Sequence, residues 1–234
     1  MTSPPGFPGT VPASVRAVVP SVPGATRLVL VRHGEATCNV SGVVGGRLGC
    51  TGLSTLGLEQ AASLARRLAA HGELAAAKAL YASVLPRALD TAATIAPAVG
   101  NGTLEVVADC DLCELHPGEG DGLTWEQFTA RFGEPPWDDD PDVPLAPGGE
   151  SWSGFVERAG GALEAVARRH PGEVVVVVCH AGVIEAALLR FVPIEKGARL
   201  RLRTDHTSLT EFESDPGGGA WRLLRYNDAA HLAG

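Results

Sequence analysis

The stretch Val174–Gly182, VVVVVCHAG, decides the architecture. Five consecutive valines show no alternation of apolar and polar residues. A strand with both faces covered reads this way, whereas a half-exposed strand alternates. Such strands belong to parallel sheets sandwiched between helices. His180 falls where the strand ends, and Ala181–Arg190 then reads as a helix.

Working outward, Ala25–Val31 (ATRLVLV) is a second apolar run, and it feeds directly into Arg32-His33-Gly34-Glu35. Ser54 is placed to cap a helix to about Ala70, with Leu58, Ala61, Leu64, Ala65 and Leu68 on one face. Ala79–Val84 reads as a strand. Pro86 suits the first turn of a helix to about Val99. Leu104–Ala108 reads as a short strand and Trp125–Phe132 as a short helix. Residues 133–149 form a proline- and aspartate-rich loop, and Ser151 caps a helix to about His170. Leu200–Arg203, Leu209–Glu213 and Trp221–Tyr226 are expected to close the sheet edge as strands. Strands alternating with helices predict an α/β fold with a mostly parallel sheet.

A chain of 234 residues with 45% hydrophobic and 20% charged residues can bury a sizeable core. The net charge of -8 excludes a general nucleic-acid binder, which needs a basic surface. No apolar run reaches the roughly 18 residues of a membrane span. No membrane partner is therefore expected, while a homodimer stays open. Residues 1–24 are rich in proline, glycine and serine and lack the pattern of a signal peptide. They read as a mobile extension without a role in the fold, followed by one domain over residues 25–234. Five cysteines, an odd number, suit a reduced, cytoplasmic setting. Cys110 and Cys113 form a C-x-x-C with no second pair at zinc spacing, so they read as small side chains near a strand end.

The polar residues fall at one place. Arg32 and His33 follow one strand, Arg87 starts a helix just after another, His180 follows the valine strand, and Glu114 follows a short strand. Ligands of open parallel sheets bind outside the carboxyl ends of the strands, so distant segments converge on one edge.

These segments carry a resemblance. VRHGEATCN (Val31–Asn39), SVLPRALDTA (Ser83–Ala92), LCELHPGEGDGLT (Leu112–Thr124), APGGES (Ala146–Ser151), VVVVVCHAG, HTSLTEF (His206–Phe212) and LRYNDAAHL (Leu224–Leu232) resemble, in order, the motifs of the histidine phosphatase superfamily, also called phosphoglycerate-mutase-like. The resemblance implies a three-layer α/β/α sandwich with a small cap made by loop and helix insertions.

It also implies roles. His33 attacks phosphorus as a neutral imidazole and forms a phosphohistidine, which divides one displacement into two easier ones. The cations of Arg32 and Arg87 favour the neutral ring. Arg32, Arg87, His180 and Asn39 hold the phosphate oxygens, helped by the helix start at Ala181. Glu114 is the general acid and later the base, with Glu119 as a nearby rival. No metal or other cofactor is expected. The substrate is a small phosphorylated metabolite.

Several residues depart from the family pattern. Ala36 stands where a hydroxyl residue is frequent, and His116 and Pro117 replace the usual acidic and aromatic residues. The segment Gly45–Leu53 places Gly45 and Gly46 near the pocket mouth, where they bear on substrate selection. A phosphomonoester hydrolase is therefore expected. The alternative isomerase, a phosphoglycerate mutase, carries N-E-R-H-Y-G where this chain has Cys113–Gly118, and it has a longer cap. A non-catalytic phospho-ligand binder would lack His33 or Glu114.

Overall fold

The computed structural model describes residues 18–192 and 202–233. A six-stranded sheet runs through it in the order β3-β2-β4-β1-β5-β6. The strands are β1 (Arg27–Arg32), β2 (Ala79–Ser83), β3 (Val106–Asp109), β4 (Val174–Cys179), β5 (Leu209–Ser214) and β6 (Trp221–Asp228). The first four are mutually parallel, and β5 and β6 add an antiparallel edge beside β1.

The valine run does what its lack of alternation implies. Val174, Val176 and Val178 enter one core and Val175 and Val177 the other, all of them buried. Helices α2 (Thr55–His71) and α3 (Pro86–Ile95) cover the first face through Leu64, Leu68, Ala88 and Ile95. Helices α5 (Trp152–Arg169) and α6 (Ala181–Phe191) cover the second through Phe155, Leu163, Val183 and Ile184. Fully burying a valine side chain contributes about 1.5 kcal/mol or more, so this one strand anchors both layers.

Caps fix where the helices begin. The Ser54 hydroxyl accepts from the Gly57 N–H, and Ser151 from Gly154. A short helix α1 (Thr37–Ser41) follows β1, and α4 (Trp125–Phe132) opens with a reciprocal Thr124–Gln127 capping box. Around α4, Val44, Phe128 and Ala146 make a small separate core. This is the cap. The Asp121 carboxylate ties it down by accepting from the N–H groups of Gly46, Leu48 and Gly49.

Some expectations change. Leu58 is 52% exposed, because α2 turns Gly57, Ala61, Leu64 and Leu68 inward instead. The strand expected over Leu200–Arg203 is not seen: Leu202 and Arg203 are irregular, and residues 200 and 201 lie outside the described residues. The expected mobile extension, residues 1–24, lies outside the described residues as far as 17. Its remainder packs on the domain: Val18 is buried and donates its N–H to the Glu73 carbonyl at 2.7 Å, and Ser21 bonds the Glu213 carboxylate. Val18 covers the end of the α2–α3 core, a role that the composition around it conceals.

The β5–β6 edge is locked to α2 by charge. Arg67 bridges Glu73 and Asp228, and Arg225 reaches Glu73, Asp228 and Glu211. Glu73 and Glu211 are almost fully buried, and each is shared by two arginines, Glu73 by Arg67 and Arg225 and Glu211 by Arg225 and Arg27, so removing one arginine weakens the compensation of a buried carboxylate and destabilises the edge.

Candidate active site

Register brings the two histidine motifs together. β1 and β4 are neighbours with Arg32 opposite Cys179, so His33 and His180 leave adjacent strand ends side by side. Their ring centroids are 5.0 Å apart. β2 lies on the other side of β4 and leads to Arg87 in the first turn of α3. The carboxyl ends of three adjacent strands thus form the floor of a cavity of about 660 Å³.

The tautomer of His33 follows from its partners. Nδ1 lies 2.6 Å from the Gly34 carbonyl, which can only accept, so Nδ1 carries the proton. Arg87 Nε–H donates to Nε2 at 3.1 Å, so Nε2 presents its lone pair. The ring is therefore neutral, with Nε2 in the cavity. Burial first, then the Arg87 and Arg32 cations, push its pKa well below the ordinary histidine value.

Gly34 allows two stretches of backbone to approach closely. A Cβ there would stand 2.6 Å from the Gly57 carbonyl, so the glycine lets α2 start against the loop.

Arg87 is buried, and its Nη1 donates to the Gly45 carbonyl at 2.7 Å. Arg32 donates to the Thr204 carbonyl, while its buried Nε has no hydrogen-bond partner among the described residues. Neither guanidinium pairs with a carboxylate among the described residues. His180 is fully buried. Its Nε2 lies 2.8 Å from the Ser83 hydroxyl, and its buried Nδ1 is unpartnered among the described residues. Burial, then Arg87, His33 and Arg32, depress its pKa as well. Two cations and unsatisfied polar atoms around a neutral imidazole make a cradle that suits a tetrahedral oxyanion.

Glu114 sits above this floor. Its Oε2 accepts from the Gly182 N–H at 3.1 Å and its Oε1 from the Leu115 N–H at 3.2 Å. A Cβ at Gly182 would lie 2.2 Å from Oε1 and push the carboxyl aside. The rival Glu119 is exposed and bonds Arg131 at 2.6 Å, outside the cavity lining. Asn39 lines the cavity, with its Oδ1 engaged by the Ala36 N–H. Ala181 lines it at the first turn of α6, where backbone N–H groups are free of intrahelical partners. Gly45 and Gly46 line it too, and they also hold Arg87 and Asp121 in place. Above the phosphate floor the walls are apolar, with Trp125, Phe128, Trp137 and Trp152 from the cap region.

Two residues escaped the sequence reading. His206 places its ring 5.7 Å from His33, and burial, then Arg32, hold its pKa at about 4. Thr207 turns the chain there with φ of 56°, a conformation costly for a branched residue, and its N–H bonds the Arg32 carbonyl at 2.9 Å. The HTS string was the available signal. Ser83 was the other; it stands three residues before Pro86 at the end of β2, and only the strand pairing reveals that it meets His180.

A three-layer α/β/α sandwich with paired histidines and arginines at the strand ends defines a protein built to handle phosphoryl groups. The profile of the Histidine phosphatase superfamily (branch 1) matches residues 28–229, and the chain belongs to that superfamily. It is a phosphatase acting on a small phosphorylated metabolite. It is 37% identical over 216 residues to the metal-independent phosphoserine phosphatase of Arabidopsis thaliana, covering 89% of this chain and 84% of the relative. It is 32% identical over 208 residues to phosphoglycerate mutase-like protein 4 of the same plant, covering 88% and 86%. Among solved structures, a mycobacterial glucosyl-3-phosphoglycerate phosphatase in complex with VO3 superposes with a TM-score of 0.70 at 28% identity, over 86% of this chain and 98% of that one. No helix among the described residues is long and apolar enough to cross a membrane.

Proposed function

We propose that the chain hydrolyses phosphomonoesters through a phosphohistidine on His33, without a metal ion. The observation that carries this is the protonation state of His33: both ring nitrogens are assigned by one-way partners, and Nε2 is the nucleophilic one. In the first step Nε2 attacks phosphorus in line. Arg87 and Arg32 hold the non-bridging oxygens, with His180 Nδ1, the Asn39 amide and the Ala181 N–H completing the shell. For His180 to donate from Nδ1, its Nε2 accepts from the Ser83 hydroxyl. Glu114, as the general acid, gives a proton to the leaving alkoxide. In the second step the Glu114 carboxylate takes a proton from water as that water attacks the phosphohistidine.

Relatives named for phosphoserine and for glucosyl-3-phosphoglycerate suggest phosphate esters of hydroxy acids as first substrates. The aromatic rings of the cap would then pack on the part of the substrate beyond the phosphate. All five cysteines are unpaired, which supports a reducing, cytoplasmic setting. The negative charge supports a small-molecule partner over nucleic acid.

A phosphate-release screen over such esters, with and without chelator, tests the reading. Turnover that survives the chelator supports it. An absolute need for added divalent ion, or isomerisation of a phosphoglycerate outrunning phosphate release, contradicts it.

A further inference from the structure

One cluster lies outside the phosphate site. β3 ends in a single helical turn, Cys110–Leu112, started by the Asp109 side chain accepting from the Asp111 N–H. The Cys113 N–H bonds back to the Cys110 carbonyl at 3.0 Å, which folds the two cysteines onto one side of the turn. Their sulfurs are 3.6 Å apart, and His116 Nε2 is 3.8 Å from the Cys110 Sγ. The three ligand atoms all lie within 4.8 Å of one another.

Two of these spacings are close to those of a zinc site. Bonds of about 2.3 Å to sulfur and about 2.05 Å to nitrogen, at tetrahedral angles, place two sulfurs about 3.8 Å apart and sulfur and nitrogen about 3.6 Å apart. We infer that Cys110, Cys113 and His116 form a binding site for a borderline-soft divalent cation, zinc by preference, on the loop that carries Glu114.

The surroundings are arranged for a ligand. The far nitrogen of His116, Nδ1, lies 3.6 Å from Glu150 Oε2, the carboxylate partner that leaves Nε2 free to coordinate. Glu150 is itself gripped by Arg158 at 2.6 and 2.7 Å and accepts from the His116 N–H at 2.8 Å. Arg158 also donates to the carbonyls of Asp111 and Cys113, so the loop is held in this shape. Cys113 is buried and His116 half-exposed, which anchors the ion on one side and opens it to solvent on the other. Arg47, an exposed side chain, donates to the Cys110 Sγ at 3.0 Å and swings aside when the cation takes over its charge. Water fills the fourth position. Two thiolates and an imidazole disfavour magnesium.

The C-x-x-C pair thus gains the third ligand that sequence spacing alone did not supply: His116, the residue that departs from the family pattern. The site is distinct from the chemistry proposed on His33, which needs no metal, and its test does not depend on that chemistry.

Full-length protein, kept reduced, is titrated with zinc against a chromophoric chelator and with cobalt in the spectrophotometer. The expected result is one ion per chain, a thiolate-to-cobalt charge-transfer band with tetrahedral d–d bands, and a melting temperature raised by zinc. His116→Ala, a half-exposed position that the fold tolerates, weakens zinc at least tenfold and shifts the d–d bands. Cys110→Ser removes much of the charge-transfer intensity. Absence of stoichiometric binding by the reduced wild type overturns the inference, as does binding that neither substitution alters.

Discussion

Arg87 Nε–H donates to His33 Nε2 at 3.1 Å in the same site where the Gly34 carbonyl accepts from the Nδ1–H at 2.6 Å. The arginine both marks the lone pair and lowers the affinity of that nitrogen for a proton. When a phosphate arrives, the guanidinium turns from the ring to the phosphate oxygens, and the lone pair is released toward phosphorus. Arg87→Met should lower kcat/KM by about 10²–10³, the range seen when one preorganised donor is removed. Steady-state kinetics check this. An unchanged kcat/KM in a folded variant would show that Arg87 does not hold the reacting group.

The acid limb of activity follows from the same contact. His33 stays neutral below the ordinary histidine value of about 6.5, so the acid limb of kcat/KM should lie below pH 6.5 in the wild type. Arg87→Met removes one of the causes of that depression, although burial remains the larger. The limb should therefore move upward in the variant. A pH profile in both proteins decides the matter, and a wild-type limb above 6.5 contradicts the assignment.

Glu114 is expected to matter according to the leaving group. Glu114→Gln keeps the shape and, through its single amide oxygen, one of the two bonds from Gly182 and Leu115, but it cannot give up a proton. Its kcat/KM, which reports the steps up to release of the alcohol, should fall by about 10²–10⁴ with an alkyl phosphate, the usual contribution of a general acid. With an aryl phosphate, whose phenolate leaves unaided, the loss in the first step should be much smaller. Equal losses with both substrates would remove Glu114 from the role of acid.

Gly182→Ala tests the placement of that carboxyl without altering its chemistry. The new methyl would stand 2.2 Å from Oε1 and displace it. A misplacement of about 1 Å can cost about 10²-fold in rate. The expected outcome is a lower kcat with phosphate affinity largely kept, read as inhibition by inorganic phosphate. A variant as fast as the wild type would mean the acid does not depend on this contact.

Stability should fall on the acid side. His33, His180, His206 and His231 all have depressed pKa values in the folded chain, the last two at about 4, with burial the leading cause for each. Below about pH 6.5 the unfolded chain takes up protons there that the folded chain refuses, so acid favours unfolding. Asp228 adds a later loss. Burial raises its pKa, but Arg67, the Ala230 N–H and Arg225 outweigh that and hold it well below the usual carboxylate range. Its contribution is present above about pH 3.9 and is lost as the pH falls further. Thermal melts at pH 7.5 and pH 5 should show a lower melting temperature at pH 5. Equal or rising values contradict the burial of neutral histidines.

Much of this is legible in the sequence because the strands needed for the site are apolar runs with polar residues at their ends. Val174–Cys179 could only be a doubly covered strand, and Ser54 and Ser151 marked helix starts by their hydroxyls. His33, Arg87, Glu114 and His180 were readable since each follows a strand or opens a helix. What stayed hidden depends on contacts between distant segments. Ser83 is an ordinary strand-end serine until β2 pairs with β4 and brings it to His180. His206 lies in a turn whose direction is set by a positive φ at Thr207, which composition does not announce. Val18 looked like part of a proline-rich leader, yet one buried side chain and one backbone bond seat it on the domain. Leu58 failed for a local reason: a single helical face accepts only so many residues, and Gly57 took the inward position so that α2 could approach Gly34.

The central claim is that His33 carries the phosphoryl group. A rapid-quench experiment with phosphorus-labelled substrate, stopped in alkali and followed by peptide mass spectrometry, addresses it most directly. Glu114→Gln serves as a companion because it slows hydrolysis of the intermediate. The account predicts an alkali-stable, acid-labile phosphoryl group on His33, formed and consumed at rates compatible with turnover and absent from His33→Ala. Turnover without any phosphoryl-enzyme, or label on another residue, would contradict it.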